Sequence, residues 1–399
     1  RLLAAGDAAG ADEFRLDDPD DTSVYESVQL WHDNVICIAR PSCDRFVDTV
    51  VGEVAALYRE AGVLLRAVHL GGDEVPAGAW LGSPICRARM AQQGWHTVHE
   101  LRADFTARCR AILARHCLGF AGWDENALAA SADGGVVADP RFAGPGFQVY
   151  AWNNATGSSQ EDCAWRLANA GYEVVLANAA HLYFDLAHAK DPQEPGYYWA
   201  GFVDTRSVFG FRPLDLDPLS GADQMGRPLS AQAAARLVGL SAPERILGLQ
   251  GQLWGENAHS RARIEYLAAP RLLALAERAW SPDPESHEGA GDPARAWNEF
   301  ANRLGQRALP QLDRTLTWGY RLPPPGALIE DGRIHANAAL PGLALRFTFD
   351  GSAPHAGSPL YAQPLCMPPA AATFRIASFD TRGRAGRVVT LALKDVPDA

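Results

Sequence analysis

The stretch Val68-His69-Leu70-Gly71-Gly72-Asp73-Glu74-Val75 decides the fold of this chain. An apolar, strand-like run from Leu64 to Leu70 breaks at two glycines and then presents two adjacent carboxylates. In α/β proteins the chemistry lies at the carboxyl ends of strands. Glycine permits backbone angles that other residues avoid, so both acids can reach one cleft in different surroundings. Different surroundings separate two pKa values, which lets one acid donate a proton while the other stays ionised.

The alternative for the Asp73-Glu74 pair is an ordinary solvated loop. Adjacent acids are common in loops, and the pair alone would not indicate catalysis. The strand before the pair and the two glycines between strand and pair favour a site.

Composition limits the classes of function. Hydrophobic residues make up 47% of the 399 residues and charged residues 21%, which is typical of a globular protein. The formal net charge is −11 without a long basic run, which argues against a nucleic-acid partner. No apolar run reaches the length of about 18 residues that a membrane span needs. No obligate protein partner is indicated.

Strand and helix patterns alternate along most of the chain, which predicts a parallel α/β sheet. The predicted helices have apolar residues at helical spacing, and functional-looking residues follow the predicted strands. That arrangement is typical of a (β/α)₈ TIM barrel, although only about five strand–helix units can be counted where eight are required. The predicted strands are 64–70, 118–123, 147–152, 173–178 and 246–254, with a short strand at 27–31, and the predicted helices are 44–61, 98–116, 161–170, 261–280 and 297–312.

The C-terminal part of the chain has a different pattern. Pro323-Pro324-Pro325 marks a boundary, and beyond it residues alternate between apolar and polar in three runs separated by turns. This predicts a small immunoglobulin-like β-sandwich. The domain prediction is therefore a catalytic barrel over 1–318, lacking its first strands, and a sandwich over 319–399.

Several motifs, in order, resemble family-20 glycoside hydrolases, the β-N-acetylhexosaminidases, and the tail resembles their bacterial chitobiase branch. The resemblance extends from about Phe14 to the C-terminus. The segments that carry it are His69-Leu70-Gly71-Gly72-Asp73-Glu74, Leu182-Tyr183-Phe184-Asp185, Tyr197-Tyr198-Trp199, Gly248-Leu249-Gln250-Gly251-Gln252-Leu253-Trp254-Gly255-Glu256, Ala276-Glu277-Arg278-Ala279-Trp280-Ser281 and Tyr320-Arg321-Leu322-Pro323-Pro324-Pro325-Gly326.

This resemblance implies exo-acting hydrolysis of terminal β-linked N-acetylglucosamine from chitobiose, chito-oligosaccharides or glycoconjugates. In that family the substrate's own acetamido oxygen is the nucleophile, and configuration is retained. Glu74 resembles the general acid, and Asp73 resembles the residue that orients the acetamido N–H. Tyr183 matches the tyrosine that hydrogen-bonds the acetamido oxygen, and its alternative is packing in a loop.

Aromatic walls are expected because sugars present flat apolar faces. Trp123, Trp152 and Trp254 stand at predicted strand ends and are expected to line the sugar pocket. By resemblance, Trp199 stacks on the sugar beyond the cleaved bond and Glu256 binds ring hydroxyls. His69 is expected to support the acidic pair, with a structural role as the alternative.

No cofactor or metal motif is found. The family's arginine for the outer hydroxyls and its Asp/His pair near the acid have no counterpart before Phe14. The alternative function is therefore a non-catalytic carbohydrate-binding remnant.

The seven cysteines form no Cys-x-x-Cys pair. In an exported protein, Cys37 or Cys43 can bridge to Cys86, and the resemblance favours such a bridge; the alternative is that all are small buried apolar residues. The expected location is periplasmic or secreted, with the signal segment outside this chain.

Overall fold

The structure, a computed structural model, describes residues 13–131, 135–158, 160–215, 237–281, 292–368 and 371–392. These residues divide into two units. Unit 1 is Arg1–Asn178 with Leu214–Gln250, and unit 2 is Ala179–Pro213 with Gly251–Ala399. The predicted domain boundary between residues 318 and 319 stays a prediction.

Unit 1 is built on a parallel sheet. Its five strands have the order β1-β2-β5-β6-β7, and every neighbouring pair is parallel. The bounds are β1 Ala67–His69, β2 Gly119–Trp123, β3 Leu128–Ala130, β4 Val136–Ala138, β5 Phe147–Ala151, β6 Glu173–Leu176 and β7 Ile246–Leu249, with helices α1 Pro41–Glu60, α2 Pro84–Gln93, α3 Val98–Arg115 and α4 Cys163–Asn169.

The five predicted sheet strands are all confirmed, with ends that differ by up to five residues. The buried positions of β5 and β6 alternate: Phe147, Val149, Ala151, Val174 and Leu176 are buried. Because all strands run in one direction, β1, β2 and β5 end at the same edge of the sheet. The acidic turn after β1 therefore lies beside the segments that follow β2 and β5.

Unit 2 contains the remaining elements. Its helices are α5 Ala179–Leu182, α6 Thr205–Gly210, α7 Arg261–Ala268, α8 Arg271–Trp280, α9 Pro293–Arg303 and α10 Leu309–Thr315, with a π-helical turn at Leu304–Ala308. Its strands are β8 Gly326–Glu330, β9 Arg333–Asn337, β10 Ala344–Thr348, β11 Leu365–Cys366, β12 Thr373–Phe379 and β13 Val389–Ala392.

The predicted β-sandwich is confirmed within unit 2. One antiparallel sheet has the order β11-β9-β8 and the other β10-β12-β13. The two sheets share a core, in which Ile334 of the first sheet packs with residues of the second. Those second-sheet residues are Leu345, Phe347, Phe374 and Ile376.

Three local predictions are wrong. Residues 27–31 form a turn and not a strand: Leu30 N–H donates to the Ser27 carbonyl (2.8 Å), and Leu30 is left-handed (φ 63°). Helix α1 begins at Pro41, before Asp44, since the fixed φ of proline suits the first helical position. The predicted helix 261–280 is two helices because Pro270 has no N–H to donate.

The structure also contains regular elements beyond the predicted ones, among them α2. The Gly- and Pro-rich stretch after Ser131 contains β4, which pairs antiparallel with β3. The predicted helix 297–312 is longer and runs as α9, the π-helical turn and α10. Among the described residues, no helix combines the length and apolar character that a membrane crossing requires.

Candidate active site

The acidic pair lies on an irregular segment immediately after β1, residues 71–75, which we call the acidic turn. Gly71 and Gly72 are left-handed, with φ of 72° and 94°, and Glu74 is left-handed as well (φ 50°). Three positive φ values in four residues end the extended conformation of β1. This is the use of glycine that the sequence predicted.

Neighbouring groups hold this turn. Trp123 N–H and Asn126 Nδ2 both donate to the Gly71 carbonyl, at 3.1 and 2.7 Å. Arg102 Nη2 donates to the Gly72 carbonyl at 2.8 Å. A Cβ at position 72 would lie 2.4 Å from Asn126 Nδ2, so glycine is also required there by space.

Asp73 is the carboxylate whose proton affinity is shifted. Partial removal from water raises the pKa of Asp73, and the negative charge of Glu125 raises it further, while Arg102 acts in the opposite direction. Raised proton affinity at a carboxyl in a cleft is a feature of functional sites.

Glu74 is reached by a side chain that the sequence did not single out. Gln29 Nε2 donates to Glu74 Oε2 at 3.2 Å. Gln29 lies on the tight turn at residues 27–31, in which Ser27 is buried and its Oγ accepts from Trp31 N–H at 3.1 Å. A polar residue within a predicted strand gave no signal of this contact.

His69 packs beneath the acidic turn between two aromatic rings. Its ring centroid is 4.9 Å from that of Trp123 and 4.8 Å from that of Tyr150, both edge to face. Its Nδ1 accepts from Gly71 N–H (3.2 Å), and partial removal of the ring from water lowers the pKa of His69. A neutral histidine with the proton on Nε2 follows from these contacts.

The two predicted wall tryptophans of unit 1 have different surroundings. Trp123 is 8% exposed and packs against His69 and Tyr150. Trp152, just after β5, is half-buried, and its Nε1–H donates to Glu125 at 3.2 Å. The structure therefore brings Asp73, Glu74, His69, Trp123 and Trp152 together at one edge of the sheet of unit 1.

In unit 2, Tyr183 stands between two other predicted residues. Its ring lies edge to face with Trp199 (6.0 Å) and with Trp254 (5.9 Å). Tyr183 is 4% exposed, whereas the two tryptophans are exposed at 47% and 37%. Two accessible indoles beside a buried tyrosine form an aromatic surface of the kind that sugar faces contact.

Asp185 is the last residue of the Leu182–Asp185 motif, and the sequence did not predict it as a site residue. It is 2% exposed, and among the described residues no hydrogen-bond donor reaches its Oδ1. Burial raises the pKa of Asp185 to about 6, and the nearby charge of Glu256 acts in the same direction. Glu256 itself is exposed, so this pair combines a buried and an accessible carboxylate.

Arg271 fixes the loop that carries Tyr183 and Asp185. It is fully buried, and its guanidinium donates to the carbonyls of Phe184, Leu186 and Val203. Burial lowers the pKa of Arg271 to about 9. The same guanidinium also donates to the Leu267 carbonyl, so one side chain connects this loop to α7.

The described residues contain no cluster of three or more His, Cys, Asp or Glu side chains that could hold a metal ion. All seven cysteines lie in described ranges as thiols. Of the two pairings named from the sequence, Cys37 with Cys86 is the adjacent one, with 3.7 Å between the sulfur atoms. Cys43 Sγ donates to the Cys37 carbonyl.

A parallel sheet with two adjacent carboxylates at its carboxyl edge is typical of glycoside hydrolases built on a (β/α) barrel. The chain belongs to glycoside hydrolase family 20. The family's catalytic domain ("Glycosyl hydrolase family 20, catalytic domain") matches residues 3–283, and "Chitobiase/beta-hexosaminidase C-terminal domain" matches residues 308–388.

Named relatives agree with this assignment. The chain is 30% identical to a beta-hexosaminidase of Vibrio vulnificus, over 99% of this chain and 48% of the relative. It is 32% identical to N,N'-diacetylchitobiase of Vibrio harveyi, over 88% of this chain and 44% of the relative. The chain thus spans about half the length of these relatives.

A solved structure supports the fold. The family-20 exo beta-N-acetylglucosaminidase of Vibrio harveyi, in complex with N-acetylglucosamine, matches with a TM-score of 0.58 at 28% identity. The match covers 79% of this chain and 41% of that one. The predicted fold class, an α/β barrel sheet followed by a β-sandwich, is confirmed.

Proposed function

We propose that the protein is an exo-acting β-N-acetylhexosaminidase that releases terminal N-acetylglucosamine from chitobiose and longer chito-oligosaccharides. The observation that carries the proposal is the Asp73-Glu74 pair on a left-handed turn at the carboxyl edge of the parallel sheet. Membership of family 20 and the name of the Vibrio harveyi relative support the choice of substrate.

Glu74 serves as the general acid and protonates the leaving glycosidic oxygen. Its carboxylate is oriented by Gln29, which donates to one oxygen. Asp73 stays ionised, accepts the acetamido N–H and faces the positive charge of an oxazolinium intermediate. The substrate's acetamido oxygen attacks the anomeric carbon, so no glycosyl ester with the enzyme forms.

The remaining residues bind the sugar. Tyr183 donates to the acetamido oxygen, and Trp152 and Trp254 provide apolar walls together with Trp123. Trp199 stacks on the sugar that leaves, and Glu256 accepts hydrogen bonds from ring hydroxyls. These roles rest on the match to the family's motifs and on the surroundings described for each residue.

The test is hydrolysis of 4-nitrophenyl and of alkyl N-acetyl-β-D-glucosaminides. Glu74→Gln removes general acid catalysis, a contribution of about 10²–10⁴-fold, on the alkyl substrate. The nitrophenyl substrate, whose leaving group needs little protonation, loses less. Equal losses on both substrates contradict the role of Glu74.

The nucleophile is tested with an N-acetylglucosamine thiazoline, a stable mimic of the oxazolinium ion. We expect competitive inhibition, which Asp73→Asn weakens because the ionised acid faces the positive charge. Covalent trapping of a 2-fluoro sugar on an enzyme carboxylate would overturn the substrate-assisted route. Binding of the thiazoline without any turnover identifies a carbohydrate-binding protein instead.

We also propose a periplasmic or secreted location. The adjacent thiols of Cys37 and Cys86 support it, because disulfides persist in oxidising compartments. Protein produced by export should lose two hydrogen masses relative to its reduced form, and the peptides of Cys37 and Cys86 should be joined. Free thiols at both positions in exported protein count against the proposal.

A further inference from the structure

The segment that follows β2 contacts the acidic turn through two neighbouring side chains, Asn126 and Glu125. A short 3₁₀ turn, Asp124–Ala127, follows β2 directly. Its Asn126 fixes the Gly71 carbonyl, as described above. The residue before Asn126 is Glu125, which is half-buried and points to the same turn.

Glu125 contacts two residues of the proposed machinery at once. Its Oε1 accepts from the backbone N–H of Glu74 at 3.4 Å. The same carboxylate accepts from Trp152 Nε1, at 3.3 Å to Oε1 and 3.2 Å to Oε2. The Glu125 carboxylate therefore connects the backbone of Glu74, after β1, to the indole of Trp152, after β5.

Asp124 completes this arrangement from the buried side. It is 3% exposed and hydrogen-bonds the Glu125 carboxyl. Burial, followed by the negative charge of Glu125, raises the pKa of Asp124 well above its usual range. The raised pKa favours the protonated form of Asp124, whose carboxyl can then donate to Glu125.

The chemistry of this position requires a carboxylate. Glu125 receives the Glu74 N–H, the Trp152 N–H and the Asp124 O–H, and an ionised carboxylate has lone pairs for all of them. A glutamine would offer one acceptor oxygen and turn an N–H₂ group toward a donor. The positive charge that faces Glu125 is Arg102, which also faces Asp73.

We propose that Glu125 is a positioning residue, which acts through the Glu74 backbone and the Trp152 indole and does not touch the substrate. The expected effect on turnover rests on the proposed function. The contact between Glu125 and the two groups does not depend on that function. A displacement of about 1 Å in an active site can lower a rate ~10²-fold, which is the size of effect expected when this tie is lost.

The first experiment observes the contact without any activity. The indole N–H resonances of the ¹⁵N-labelled 399-residue chain are recorded, and Trp152→Phe assigns the Trp152 signal. A bond to a carboxylate is stronger than one to a neutral acceptor, so this proton should lie downfield and exchange slowly. Glu125→Gln should move it upfield, and Glu125→Asp should give an intermediate position.

The matched control is Glu53→Gln, which removes an exposed carboxylate on α1 of the same unit. It should leave the Trp152 signal unchanged. An unchanged signal in Glu125→Gln overturns the proposal. If Glu125→Gln does not fold, Glu125→Asp and the Trp152→Phe spectrum still decide whether the contact exists.

The second experiment measures turnover. Glu125→Gln should lower kcat by about 10²-fold while KM changes little, because a misplaced acid affects the transition state more than binding. In the double variant with Trp152→Phe, the two losses should be less than multiplicative. Unchanged kcat, or fully multiplicative losses, overturns the role.

The two proposals fail in different ways. A parent chain that does not hydrolyse the nitrophenyl substrate contradicts the proposed function, and the indole spectrum alone then decides on Glu125. A parent chain that hydrolyses, with a Trp152 signal that ignores Glu125→Gln, supports the proposed function and contradicts the positioning role.

Discussion

At position 73, partial removal from water and a neighbouring charge act in the same direction on the pKa of one carboxyl group. Both raise the pKa of Asp73, and Glu125 supplies the charge. The proposed mechanism uses Asp73 in its ionised form. The acidic side of the activity profile therefore depends on how easily Asp73 loses its proton.

The resulting prediction concerns pH. As pH falls through the raised pKa of Asp73, kcat/KM should fall with it. Glu125→Gln removes a negative charge, which lowers the pKa of Asp73 and should move this acidic limb to lower pH. The groups that face Asp73 are Glu125 and Arg102, with His69 and Glu74 beside it in the turn. Profiles of parent and variant with the nitrophenyl substrate check this, and a limb that moves to higher pH refutes it.

Asp185 gives a prediction about stability. Its folded pKa of about 6 lies above the ordinary 3.8, so the folded state holds the proton more tightly than the unfolded chain. The stability it contributes is complete below about pH 4 and is lost as pH rises through 6. By the usual conversion the ionised form costs about 3 kcal/mol above that range.

Asp185→Asn should remove this dependence. Urea unfolding at about pH 4, 5, 6 and 7, a range that spans the ordinary and the raised pKa, should show a parent that weakens relative to the variant as pH rises. Phe184→Leu, a neighbouring change without a titrating group, serves as the control. Parent and Asp185→Asn curves that stay parallel rule out the raised pKa.

At the scale of elements, the π-helical turn between α9 and α10 brings two segments of unit 2 into close contact. A Cβ at Gly305 would lie 1.9 Å from the Pro341 carbonyl oxygen. Both groups are backbone, so neither can rotate away. The extra residue of a π-turn places a glycine where the chain crosses the Leu340–Gly342 segment.

Gly305→Ala should therefore destabilise the protein, by about 1–3 kcal/mol as for other overpacked sites. Gly210→Ala is the matched control, since a Cβ there meets no atom within 4 Å. Thermal unfolding of both variants, followed by circular dichroism, separates the effect of space from that of helix propensity. Equal melting temperatures would mean that the contact at Pro341 is not tight.

Elements differ in how well the sequence predicts them, for physical reasons. The strands of the sheet and α3 follow directly from apolar runs and from the Thr97–Glu100 capping box. Ser27 to Trp31 has the alternation of a strand but becomes a turn, because the Ser27 hydroxyl and carbonyl close it locally. Local side-chain bonds of this kind leave no periodic pattern.

The candidate site likewise contains residues that a local sequence pattern predicts and residues that no such pattern predicts. Asp73 and Glu74 follow a strand and two glycines, a signal that lies within eight residues of sequence. Glu125 and Gln29 contact the same turn from 51 and 45 residues away. Such contacts depend on strand order and on where a loop closes, so a single sequence does not contain a pattern that indicates them.

At the scale of the whole molecule, the parallel sheet has β1 at one end and β7 at the other within the described residues. Exposed apolar side chains accompany both ends, including Leu64 before β1 and Leu247 on β7. Strand edges of this kind favour association between chains. A closed barrel has none.

We therefore expect the 399 residues on their own to be poorly soluble and to associate with increasing concentration. Size-exclusion chromatography over a range of concentrations and a thermal scan measure this. A chain that stays monomeric over this range and melts cooperatively would contradict the expectation.

The left-handed backbone of Glu74 has a consequence for how this position evolves. Among residues with a side chain, this conformation is unfavourable by about 1 kcal/mol or more, whereas glycine adopts it freely. Selection for a durable fold alone would replace the glutamate with glycine or asparagine. In a lineage that no longer uses the carboxylate, position 74 should therefore change to glycine or asparagine before the neighbouring positions change. Loss of activity would then be recognisable first at this codon.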